Sequence, residues 1–120
     1  MRVFISADME GVTGVTHPQD VISARSQYER FRRFLTANVN AAIEGASQGG
    51  ATEFLVNEAH DGMRNIVLEE LDPRAEIIVG QRKPLVMMEG VEGAGVAFFV
   101  GYHARAGVEG ILSHTYSSPT

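Results

Sequence analysis

The chain has 120 residues, 44% of them hydrophobic and 21% charged, which suits one globular unit and excludes an intrinsically disordered chain. A formal net charge of −5 gives no electrostatic attraction for nucleic acid or anionic lipid. Cysteine is absent, so disulfides and thiolate metal sites are excluded, and any bound metal rests on histidine and carboxylate.

Residues 2–7, Arg-Val-Phe-Ile-Ser-Ala, read as a strand ended by the glycine-containing stretch Asp8–Gly14. This apolar run is too short for a signal peptide, and an acid follows it at once. No segment is long and apolar enough for a transmembrane helix, so the expectation is a cytoplasmic protein with no membrane partner. Residues 15–24 are a connector containing His17-Pro18; His17 is read as uninvolved. From Arg25 to Gln48 the apolar positions Tyr28, Phe31, Leu35, Val39, Ala42, Ile43 and Ala46 recur at steps of three and four. That spacing predicts a helix with one apolar face, and Gly49-Gly50 supply its stop.

Glu53–Asn57 reads as a second strand, and the polar segment Glu58–Asn65 as a loop. Ile66–Leu71 reads as a short helix stopped by Asp72-Pro73, Ala75–Val79 as a third strand and Pro84–Glu89 as a helical turn. Gly95–Gly101 is an almost continuous apolar run and reads as a fourth strand of a sheet covered on both faces. The strand–helix–strand order predicts an α/β fold: a mainly parallel sheet flanked by helices in a three-layer sandwich. The segment Ala104–Thr120 carries one apolar pair, Ile111-Leu112, and ends at Ser117-Ser118-Pro119-Thr120 without a closing element. The domain therefore reads as cut off.

The polar residues fall at strand ends. Asp8 and Glu10 follow the first predicted strand, His60 and Asp61 the second, and His103 the fourth. Ligands of open α/β sheets gather outside the carboxyl ends of the strands, so these clusters are expected to converge. Residues two apart in extended chain point the same way, which lets Asp8 and Glu10 face one cation; alone, the pair also reads as a solvated acidic turn. His60 and His103 are candidate metal ligands, and a neighbouring acid can orient such an imidazole; each alone also reads as an ordinary loop or capping histidine. His114 is a candidate proton shuttle or a surface histidine. No phosphate-binding loop, dinucleotide fingerprint or serine elbow is present, and Met87-Met88 read as core filling.

Ser6-Ala-Asp8-Met-Glu10-Gly11 resembles the Ser-x-Asp-x-Glu-Gly signature of the DppA-type D-aminopeptidases, the M55 peptidases. Asn57-Glu58-Ala59-His60, Gly101-Tyr-His103-Ala and Ser113-His114 resemble the family's histidine segments, in the same order along the chain. The resemblance implies a pair of Zn²⁺ ions: Asp8 bridges both, Glu10 and His60 complete the first site, His103 belongs to the second, and His114 acts in catalysis. The family's second site also takes a glutamate from farther along the polypeptide, and no residue of 1–120 is assigned that role. Residues 1–120 are thus expected to be the metal-binding N-terminal portion of a D-stereospecific aminopeptidase acting on short peptides such as D-Ala-D-Ala, in a ring-like homo-oligomer. Two other readings stay open. One is a dinuclear metal phosphoesterase, with Arg64, Arg82, Lys83 and Arg105 as possible phosphate partners; the other is an inactive metal-binding or oligomer-forming fragment.

Overall fold

A computed structural model describes residues 1–115. The last part of the tail noted above, Ser117-Ser118-Pro119-Thr120, lies outside the described residues. The elements are strand β1 (Arg2–Ala7), helix α1 (Tyr28–Gln48), and strands β2 (Glu53–Glu58), β3 (Ala75–Ile78) and β4 (Val96–Val100). Single 3-10 turns lie at Pro18–Val21, Leu68–Glu70 and Val86–Met88. The strand order is β3-β2-β1-β4 and every pairing is parallel, as the alternation of strand and helix predicts.

The helix begins three residues later than the periodicity suggests. Ala24 takes a left-handed conformation (φ 69°) and Arg25–Tyr28 close a turn, so helical geometry starts only where Tyr28 first reaches the core. The apolar stripe of α1, with Phe31, Leu35, Val39 and Ile43 buried, packs on Val3, Ile5, Ala7, Phe54 and Val56 of the sheet. The opposite face of the sheet is covered by the segment around Val86–Met88. There Ser6 Oγ donates to the Met87 carbonyl at 2.6 Å, and Asn57 Nδ2 to the Val86 carbonyl at 2.9 Å. Ser6 and Asn57 are register partners on adjacent strands, so a pair of buried polar side chains docks this third layer. The cover is thinner than that of α1, and Phe99 remains 56% exposed.

This topology fixes the place of the site. The chain runs from β1 to β2 and β3 on one side, then returns to β4 on the other side of β1. The reversal opens a crevice at the carboxyl end of β1, the usual place for ligands in such sheets. Backbone pairing continues past the strand ends. Asp8 N donates to Val100 O at 2.9 Å, Ala59 N to Ala7 O at 2.8 Å, and Gly11 N to Gly101 O at 2.8 Å. A Cβ on Gly11 would collide with the Tyr102 carbonyl, and one on Gly101 (φ 72°) with the Asp8 carbonyl. Glycine is required at both positions.

Candidate metal centre

Five side chains meet in a cleft of about 780 Å³ at this crevice: Asp8, Glu10, His60, His103 and His114. Asp8 is the first residue beyond β1 and is buried, with Oδ1 accepting from Met9 N at 2.8 Å. Its two oxygens face different imidazoles, Oδ1 lying 3.2 Å from His60 Nδ1 and Oδ2 lying 3.2 Å from His103 Nε2. Glu10 Oε1 lies 3.2 Å from His60 Nδ1 and 3.6 Å from His114 Nε2. The donor atoms form two overlapping groups, Asp8–Glu10–His60 and Glu10–His103–His114, within each of which all atoms lie within 4.8 Å of one another.

Each of the three cleft histidines is held in the same way. His60 Nε2 donates to the Val21 carbonyl at 2.8 Å, His103 Nδ1 to the Ala104 carbonyl at 2.8 Å, and His114 Nδ1 to the Leu112 carbonyl at 2.6 Å. A carbonyl only accepts, so in each ring the nitrogen bonded to it carries the hydrogen. In the neutral ring the other nitrogen then bears a lone pair aimed at the acids. Such outward anchoring fixes tautomer and ring orientation in metal-binding histidines.

Two buried acids set the electrostatics of the cleft. Burial opposes the charged form of His60, but hydrogen bonds with Asp8 and Glu10 outweigh it and push its pKa up to about 10. Burial also works against ionised Glu10, yet the bonds with His60 and Asp8 hold it down at about 2. For Asp8 burial wins, and its carboxyl is raised above the usual aspartate value. Among the described residues Glu10 Oε2 is buried with no hydrogen-bond partner, a costly state for a carboxylate oxygen unless something cationic meets it. Two carboxylates and three imidazoles with inward lone pairs fit a borderline cation such as Zn²⁺.

The D-aminopeptidase family of M55 peptidases matches residues 1–120. The chain belongs to that family. It is 41% identical over 116 residues to a D-aminopeptidase of Bacillus subtilis (strain 168), covering 96% of this chain and 42% of that protein. Its structure is similar to that of the Zn-dependent D-aminopeptidase DppA from Bacillus subtilis, described as a self-compartmentalizing protease. The TM-score is 0.93, with 41% identity over 96% of this chain and 42% of the other. The M55 chain therefore spans less than half the length of the relatives it matches.

Within this M55 chain the four residues read as ligands from the sequence, Asp8, Glu10, His60 and His103, lie together, and His114 stands with them rather than apart. The acid next to His60 does not orient the ring. Asp61 lines the cleft with φ 48°, and the Val21 carbonyl takes the role instead. The connector thus contributes more than the sequence reading gave it. Pro18, Val21 and Ile22 line the cleft, and His17 acts as the N-cap of the 3-10 turn, with Nδ1 accepting from Gln19 N at 3.2 Å. Proline at the first position of that turn and Asp20 at the third were the available signals. Met87, read as core filling, also lines the cleft, while Tyr102 ties the His103 loop to β1 through Ser6 at 2.6 Å. No helix among the described residues is long and apolar enough to cross a membrane.

Proposed function

We propose that residues 1–120 are the metal-binding N-terminal portion of a zinc-dependent D-aminopeptidase that hydrolyses short peptides bearing a D-residue at a free amino end, D-Ala-D-Ala among them. The observation that carries this reading is the shared geometry of the three histidines, each anchored outward on a carbonyl and turned inward to Asp8 and Glu10. Family membership and the zinc dependence of the Bacillus subtilis relative support the metal and the stereochemistry.

In this proposal Asp8, Glu10, His60 and His103 would hold two Zn²⁺ ions, Glu10 and His60 serving the first, His103 the second and Asp8 both. Bound zinc would supply Lewis acidity to a water and to the scissile carbonyl. The chain's own groups do the rest. Asp8 and Glu10 would offset part of the positive charge of the bound cations. Val21, Ile22, Met63, Met87 and Leu112 form an apolar wall that seats a small side chain and limits water. His114 is half-exposed at the edge of the acidic pair, with Nδ1 fixed on Leu112 O, so its Nε2 is free to carry a proton to the leaving amine.

A phosphoesterase fits less well. Among the described residues no arginine or lysine lines the cleft, and Lys83 is buried elsewhere, donating to Asn57 Oδ1 at 2.7 Å and Glu58 O at 2.6 Å. A ring-like homo-oligomer belongs to the proposal, supported by the self-compartmentalizing Bacillus subtilis relative, and so does a cytoplasmic location. Light scattering and cell fractionation check these two points.

The deciding assay compares D-Ala-D-Ala, L-Ala-L-Ala and a phosphomonoester, with and without a chelator. The chain is tested alone and joined to the downstream portion of a D-aminopeptidase relative. Chelator-sensitive turnover of the D-peptide is expected, strongest in the joined form. Preference for the L-peptide would defeat the stereochemical claim, turnover of the phosphomonoester alone would favour the phosphoesterase, and zinc content without any turnover would favour an inactive metal-binding protein.

A further inference from the structure

We propose that Asn65 is a positioning residue for His60, fixing the loop that presents this imidazole; the inference rests on the metal-centre reading above. The loop from His60 to Asn65 is held in an unfavourable shape. Asp61 (φ 48°) and Met63 (φ 59°) both lie in the left-handed region without being glycine. Such conformations persist only where the surroundings over-determine them.

Asn65 supplies much of that determination. It is 5% exposed, and all four of its polar groups have partners. Its Nδ2 donates to the His60 carbonyl at 2.8 Å, beside a second donor, Met63 N at 2.7 Å. Its Oδ1 accepts from Tyr28 Oη at 2.5 Å, and its carbonyl accepts from Arg32 Nε at 2.8 Å, both on α1. Its N–H donates to Glu58 Oε2, the buried carboxylate at the end of β2 that also takes Ile66 N at 2.6 Å. The reversed amide would set oxygen against the His60 carbonyl oxygen, so the assignment is fixed by its partners. Asn65 thus ties three things together: the end of β2, the first turns of α1 and the backbone of His60. It does not line the cleft, so it reaches neither metal nor substrate and acts through the His60 backbone alone.

The test uses Co²⁺ as the probe, because its d–d absorption reports the ligand geometry. The unaltered chain, Asn65→Ala, Asn65→Asp, Tyr28→Phe and His60→Ala are titrated with Co²⁺, and thermal unfolding is measured for each in metal-free buffer. Asn65→Ala and Asn65→Asp, which both lose the donor to His60, are expected to bind roughly tenfold more weakly, with a changed d–d spectrum. Tyr28→Phe keeps the asparagine but frees its far side, and a smaller loss in the same direction is expected. If the Asn65 variants unfold at lower temperature yet keep the original Co²⁺ affinity and spectrum, Asn65 is only structural and the inference is overturned. Should neither Asn65 variant fold, Tyr28→Phe decides by the same two readouts. Unchanged Co²⁺ binding in His60→Ala would overturn the metal-centre reading itself, which separates the two failures.

Discussion

The imidazole of His103 lies flat against that of His114, with ring centroids 3.5 Å apart and planes 18° from parallel. One ring turns its Nε2 to Asp8 and the other to Glu10. The contact couples a proposed ligand to the proposed proton carrier. His103 is largely buried and His114 about half exposed, which suits those different tasks.

His114→Ala is expected to leave zinc content nearly unchanged while lowering turnover of D-Ala-D-Ala by about 10²-fold or more, the usual worth of general acid–base catalysis. His103→Ala is expected to lose zinc. Metal analysis beside steady-state kinetics on the joined protein checks the pair. Equal metal loss in both variants would make His114 a ligand instead.

Asp8→Ala is expected to lose more zinc than Glu10→Ala. Asp8 offers separate oxygens to His60 and His103, whereas Glu10 approaches its two histidines with Oε1 alone. Equilibrium dialysis followed by elemental analysis measures this directly, and retention of zinc by Asp8→Ala would exclude the bridging role.

Zinc binding at pH 8 is expected to release about one proton from His60, because that ring stays protonated up to about 10 in the metal-free site and must be neutral to ligate. Affinity therefore rises with pH towards 10. Calorimetry in buffers of different ionisation enthalpy counts the proton. The same shift bears on stability without metal. His60 has a raised pKa, so its contribution is fully present below its ordinary value of 6.5 and lost as pH rises through about 10. Glu10 is lowered, so its contribution is present above 4.5 and lost as pH falls towards about 2.

Gly11→Ala is expected to destabilise the chain by about 2–3 kcal/mol, as overpacking does, because the new methyl meets the Tyr102 carbonyl rather than a movable side chain. Urea unfolding measures the loss. Gly62→Ala is the control, since its added methyl meets nothing within 4 Å.

Much of the fold was legible because it rests on periodicity. The three- and four-residue steps from Tyr28 to Ala46 mark the buried stripe of α1, and the apolar run ending at Val100 marks β4. Asp8, His60 and His103 were legible as candidates because each sits one to three residues past a strand, and strand ends are readable. What stayed hidden depends on backbone groups or on partners distant in sequence. No side-chain pattern announces that the Val21 carbonyl will take His60 Nε2, or that Asn65 will reach both Tyr28 and His60. The start of α1 was misplaced for a similar reason, since a left-handed alanine at position 24 leaves no compositional trace.

The central place of β1 has a kinetic meaning. Its neighbours come from distant parts of the chain: Val3 pairs with Phe54 on one side and with Val96 on the other. Parallel pairings of this kind close late and slowly, because long loops must be ordered before any contact rewards them. His103 and His114 can meet Asp8 and Glu10 only once β4 has docked beside β1. The second donor group, Glu10–His103–His114, therefore does not exist until β4 is in place, and a cation there cannot act as a folding nucleus. A metal held by His103 should instead arrive last and act as a latch, slowing unfolding far more than it speeds folding.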